Sequence, residues 1–183
     1  MAGKNGYGAW LKQEFGDLIE ALDLDEMQKR FLRSRWLDQV IWMEGKAGET
    51  QRRHYRLRLT TLVGAIVVPA LVSLEALGGG IGVGVRVATL VASVLVGASA
   101  ALEQFFRFGE RWKHYRRTVE QLKSEGWLFF GLSGAYALDG ASHAALFPSF
   151  AKRVEELIQS DVETFVTEVT AEQSEGEASA GGA

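Results

Sequence analysis

The sequence predicts an all-α membrane protein: a two-helix transmembrane hairpin with long cytosolic helical extensions and amphipathic helices at both ends, assembled as a homo-oligomer. Three observations carry this prediction. Residues 59–74 and 87–102 are apolar runs free of charge, a glycine-rich turn joins them, and arginines crowd their far ends. Sixteen residues of helix reach roughly 24 Å, short of the ~30 Å hydrocarbon layer. Flanking residues complete the spans to about 59–78 and 83–104, interrupted by Glu75 and Arg86 and ending on Glu103 and Gln104. A soluble helix in so small a chain needs one wet face. The first run offers only Thr60, Thr61 and Ser73 as polar side chains. A helix apolar all round needs lipid, or a larger core than 183 residues supply.

Whole-chain averages conceal this division. Hydrophobic residues make up 47% and charged residues 23%, with a net charge of −3, because an apolar hairpin is averaged with a highly charged remainder. The absence of cysteine excludes disulfides, thiolate metal sites and cysteine nucleophiles. No cleavable signal is predicted, since Lys4 has no apolar stretch behind it. Arg52, Arg53, Arg56 and Arg58 precede the first span, and Arg107, Arg111, Lys113, Arg116 and Arg117 follow the second. The connecting turn carries Arg86 alone. The positive-inside rule then places both termini in the cytoplasm.

Residues 1–24 read as an amphipathic helix, with Leu11, Phe15, Leu18, Ile19 and Leu22 at helical spacing and an end near Leu22. Asp23 or Asp25 offers an N-cap for the next helix, and Gln28 stands three residues after Asp25 as in a capping box. Residues 25–58 form a cytosolic stalk on the stripe Met27, Phe31, Leu37, Val40 and Ile41, with Gly45 and Gly48 as its weak points. The transmembrane hairpin is 59–102, and Pro69 predicts a kink in its first helix by removing an intrahelical hydrogen bond. A second stalk, 103–126, continues the second span as helix until Glu125–Gly126 stops it. Within 127–170, an aromatic loop or broken helix precedes a last amphipathic helix, with Pro148 in its first turn and an end near Val169. Residues 171–183 are acidic, rich in serine and glycine, and predicted to be disordered.

The blocks RFLRSRWLDQVIWME (30–44), QRRHYRLRLTTLVGAIVVPALVSL (51–74), SEGWLFFGLSGAY (124–136) and FAKRVEELI (150–158), in this order around a hairpin, resemble the SLATT family, the SMODS and SLOG associating two-transmembrane effectors. The likeness covers roughly 25–165 and rests on the order of the blocks. It implies a bacterial two-span protein of the inner membrane that forms a pore, beside a separate nucleotide-producing or nucleotide-sensing protein. The family brings no catalytic motif, so the expectation is a protein that is not an enzyme, with no cofactor, no metal and no nucleic-acid partner. No fused sensor domain is expected from this sequence, so a ligand gate is expected to be a separate protein, the cytosolic helices themselves, or absent.

The second span is the richer in small and polar residues. Ser93, Gly97 and Ala101 form a ridge suited to helix packing, whereas Thr89, Ser93, Val96, Ala100 and Glu103 share an overlapping face able to line water. One hairpin cannot enclose an aqueous path, so a pore calls for about four or more copies, with the first span toward lipid. Thr89, Ser93, Val96, Gly97, Ala100, Glu103 and Gln104 are then its lining candidates, with Glu103 and Gln104 ringing the cytosolic mouth. Glu103 reads either as a cation-concentrating ring or as a solvated partner of Arg107 at i+4. Glu75 and Arg86 mark the outer mouth, either snorkelling to the interface or forming a selectivity ring. The basic clusters satisfy topology first. They also suit anionic lipid of the bilayer, at around 1 kcal/mol per charge, or a phosphate-rich messenger. His54 and His114 sit in His-Tyr-Arg triplets and read as stalk packing, because neither has partners arranged as metal ligands: His54 has Arg58 at i+4, and His114 has Glu110 at i−4 only. Glu155 and Glu156 read as a solvated face.

Overall fold

The computed structural model describes the backbone of residues 4–76 and 82–180 and the side chains of 6–73 and 82–163. Every regular element among them is helical: α1 (Lys4–Ala21), α2 (Glu26–Phe31), a π-helical stretch (Leu32–Leu37), α3 (Asp38–Ala76), α4 (Val83–Phe106), α5 (Phe108–Phe130), a 3₁₀ turn (Gly134–Tyr136) and α6 (His143–Ala180). The chain divides into two compact units, one of Met1–Glu44 with Arg116–Ala183 and one of Gly45–Tyr115.

In the first unit, α1 buries Leu11, Phe15 and Ile19, the stripe that its periodicity predicts. The capping box also forms as predicted. Asp25 Oδ1 accepts from the Gln28 N–H at 2.7 Å, and Gln28 Oε1 accepts from the Asp25 N–H at 3.1 Å. Leu32, Trp36, Val40 and Met43 then form the buried stripe, while Met27, assigned to it from sequence, is 82% exposed. The extra residue per turn of the π-helical stretch brings Trp36 fully inside, where its Nε1 donates to Leu122 O at 3.0 Å. Phe129 stacks on Phe150 at 4.4 Å, and the Phe15 ring meets the Trp36 edge at 5.1 Å.

Helix α5 runs through the predicted stop at Glu125–Gly126 and ends at Phe130. Both residues serve the core there. Gly126 admits the Trp36 ring, for a Cβ at this position would lie 2.1 Å from its Cζ2. The buried Glu125 carboxylate accepts from the Tyr136 hydroxyl and from Arg153 Nε at 2.5 Å. Burial pushes the Tyr136 phenol up, and the Glu125 hydrogen bond adds to the shift.

Helix α6 begins at His143, so Pro148 lies inside it rather than in its first turn. The start is set by Ser142, whose Oγ accepts the Ala145 N–H at 3.3 Å. Its backbone stays helical to Ala180, beyond the end predicted near Val169 and through the acidic stretch predicted to be disordered. The alanines, glutamates and glutamine of that stretch are strong helix formers. Glu155 is half-buried and paired rather than wholly solvated: Arg35 Nε donates to it at 2.6 Å and holds its carboxyl below the usual carboxylate range.

In the second unit, α3 continues through Gly45, Gly48 and Pro69. Proline supplies no N–H to Ala65 O, and Ser73 Oγ donates back to Pro69 O at 2.8 Å. The second span and the following stalk are two helices rather than one. Arg107, left-handed at φ 45°, ends α4, and its N–H donates to Glu103 O at 2.9 Å. The turn at 77–81 and the Glu75 side chain lie outside the described residues, and with them the predicted pairing of Glu75 with Arg86.

Candidate functional site

Two helices are long and apolar enough to cross a membrane, one within Glu26–Ser73 and the other Val83–Phe106. None of the apolar stretch of α3 and little of α4 is buried within the protein. Ile66 is 74% exposed and Leu90 66%. A core helix of a soluble protein would hide these side chains. Thr60, Thr61, Thr89 and Ser93 each donate to the carbonyl four residues earlier on their own helix, at 2.8–3.1 Å. Each hydroxyl proton is thereby satisfied without water, a requirement in hydrocarbon.

The half-buried residues of α3 recur every three or four positions: His54, Leu57, Thr61, Gly64, Val68 and Leu71. On α4 the matching face is Thr89, Ala92, Val96, Ser99 and Glu103, with Ser99 buried. These faces meet where Gly64 lacks a side chain, since a Cβ there would stand 1.9 Å from Val96 Cγ2. A glycine at a crossing lets two backbones approach closely, as in membrane helix pairs generally. The lining candidates therefore divide. Thr89, Val96 and Glu103 lie on the face that α4 turns to α3. Ser93, Gly97, Ala100 and Gln104 are exposed, and their spacing of four, three and four residues gathers them into one stripe. Arg86, two turns before Ser93, continues that stripe. Val91, Leu95 and Leu102 occupy the opposite, exposed side.

At the charged end of the hairpin, Glu103 is held by partners other than the Arg107 expected from helical spacing. Its Oε1 meets His54 Nδ1 at 2.5 Å and accepts the Gly109 N–H at 3.3 Å. Its Oε2 is buried without a hydrogen-bond partner among the described residues. Arg107 instead pairs with Glu110 at 2.8 Å. Gly109 makes the clasp possible, because a Cβ there would fall 2.9 Å from His54 Cε1. Sequence reasoning missed this pair because it sought partners at helical spacing, whereas Glu103 is 49 positions from His54.

The basic residues separate as well. Arg52, Arg53, Arg56 and Arg58 are exposed on α3, and Arg53 pairs with Glu49 at 2.7 Å. Arg111 and Lys113 are exposed on α5. Arg116 and Arg117 belong to the first unit. There Arg116 joins Glu44 at 2.8 Å and Glu120 at 3.0 Å. Lys123 joins the same carboxylates; burial opposes its charge, but the Glu44 hydrogen bond and both carboxylates outweigh burial and push it up. The cleft holding Tyr7, Arg116, Glu120, Lys123 and Trp127 therefore has its cations matched by carboxylates.

No group of three or more His, Asp or Glu able to hold a metal occurs among the described residues. No curated protein and no solved structure matches the chain. Residues 38–143, more than half of the sequence and including both apolar helices, match the family described as "Protein of unknown function (DUF4231)", and the chain belongs to that family.

Proposed function

We propose that this chain forms an oligomeric pore or ion channel in the bacterial inner membrane, with both termini cytoplasmic and about four or more copies around an aqueous axis. The observation that carries the reading is the stripe Ser93, Gly97, Ala100 and Gln104, exposed on the single chain yet flanked by apolar residues. In a ring of hairpins this stripe faces the axis, while Val91, Leu95 and Leu102 face lipid. Glu103, held by His54, braces the cytosolic base of the hairpin rather than ringing the mouth. Arg86 and Glu75 stand toward the outer mouth. The resemblance to the SLATT family supports the same reading and adds a separate nucleotide-producing or nucleotide-sensing protein as the source of a gating signal. No catalytic step is assigned.

Planar-bilayer recording of the purified oligomer tests the proposal. Wild type gives discrete conductance steps, and Ser93→Trp, which fills the axis with indole, abolishes them. Unchanged current in the variant removes the lining assignment. Silence of the wild type under varied voltage, pH and nucleotides favours a second reading, a membrane-anchored interaction module. One observation supports that alternative: Tyr7 and Trp10, stacked at 5.8 Å, are 48% and 51% exposed.

A further inference from the structure

At the charged end of the hairpin, Arg53, Arg56 and Leu57 of α3, Leu102 and Phe106 of α4, and Phe108 of α5 enclose a cleft of about 260 Å³. Its exposed walls are wholly aliphatic and aromatic, and Arg53 and Arg56 line it through the carbons of their side chains. Leu102 and Phe106 are 46% and 40% exposed, so the cleft opens outward. Arg53 lies 5.9 Å above the Phe108 ring and is shared with Glu49. Arg56, by contrast, makes no ion pair among the described residues, and its carbonyl alone is engaged, by Thr60. The cleft straddles the border where the charge-free run beginning at Leu59 gives way to arginines.

We infer that this cleft binds one anionic phospholipid of the cytoplasmic leaflet, its phosphodiester on Arg56 and Arg53 and one acyl chain on Leu57, Leu102 and Phe106. The inference rests on the reading that both apolar helices lie in a bilayer. An apolar cleft beside a free guanidinium calls for a ligand that is anionic at one end and oily along its length. A phospholipid at this depth has both parts in the required order. Guanidinium presents paired N–H donors that match phosphate oxygens, and its weak hydration lowers the cost of leaving water. A free phosphate leaves the apolar walls unfilled, and a neutral zwitterionic lipid brings its own cation to compete with the arginines.

Native mass spectrometry of the detergent-purified protein, titrated with phosphatidylglycerol or phosphatidylcholine, tests this. One phosphatidylglycerol is retained per chain in preference to phosphatidylcholine, and glycerol 3-phosphate does not displace it. The double variant Arg53→Gln/Arg56→Gln lowers retention by about tenfold. Lys12→Gln/Lys152→Gln, which removes the same net charge elsewhere, leaves retention unchanged. Leu102→Trp fills the cleft without altering charge and lowers retention too. Equal retention of the two lipids, equal loss in the lysine variant, or displacement by glycerol 3-phosphate overturns the site. A change of oligomer mass with Leu102→Trp, without stoichiometric lipid, overturns it in favour of a second copy in the cleft. Protein that needs detergent for extraction yet retains no phosphatidylglycerol sinks the lipid site alone. Recovery in the soluble fraction without detergent sinks the membrane reading and this inference with it.

Discussion

Gly126 shows how one missing side chain decides packing. Glycine inside a helix costs about 1 kcal/mol relative to alanine, so substitution at an open position strengthens the helix. Gly126 is not open, because its missing Cβ is the space that the buried Trp36 ring fills. Gly126→Ala is therefore expected to lower stability by about 1–3 kcal/mol, whereas Gly45→Ala, with nothing within 4 Å, raises it slightly. Urea unfolding followed by tryptophan fluorescence in detergent checks the pair, and a stabilised Gly126→Ala would remove the packing argument. At this scale the sequence was legible where cause and effect lie close along the chain, as in the Asp25–Gln28 box. It was opaque where partners are distant. The periodicity of α3 and α4 taken separately says nothing of His54 meeting Glu103, or of Glu155 reaching Arg35 across 120 positions. Gly126 followed by four more helical residues reads locally as a stop, and only the indole opposite reveals its purpose.

Helices were easier to foresee than their interruptions. The apolar period located α1, α3, α4 and α6, but the boundary between α4 and α5 turns on Arg107 adopting a left-handed conformation usually left to glycine. The nearby Gly109 is spent on closeness to His54 instead. The element pairing open to a pH test is that of the π-helical stretch with α6, through Arg35 and Glu155. Arg35 lowers the Glu155 value below the ordinary 4.5, so the folded state binds its proton less readily than the unfolded chain. The stabilisation is present above that ordinary value and fades as pH falls through the lowered one. Glu155→Gln should then cost about 0.5 kcal/mol at pH 7, as partly exposed pairs do. Its deficit should shrink toward zero as unfolding is measured at progressively lower pH below the carboxylate range. A deficit that does not vary with pH would show that the pair contributes no charge interaction.

For the whole molecule, the apolar hairpin and the charged helical remainder were separable from composition alone. The lateral surface of α4 was not. Two overlapping faces, one for packing and one for water, were both compatible with the order of its small residues. Contact with α3 at Gly64 and Val96 assigns the first, and leaves Ser93, Gly97, Ala100 and Gln104 exposed, the stripe we propose for the axis of an assembly. The sequence holds no cysteine, so single cysteines placed along α4 are probed without background. The decisive measurement is the rate at which a water-soluble thiol reagent labels them in sealed vesicles carrying the reconstituted oligomer. The account predicts reaction at Ser93→Cys, Gly97→Cys and Ala100→Cys, with Val91→Cys, Leu95→Cys and Val96→Cys inert. Labelling that follows the Val91 and Leu95 side, or inertness along the whole stripe, would contradict it.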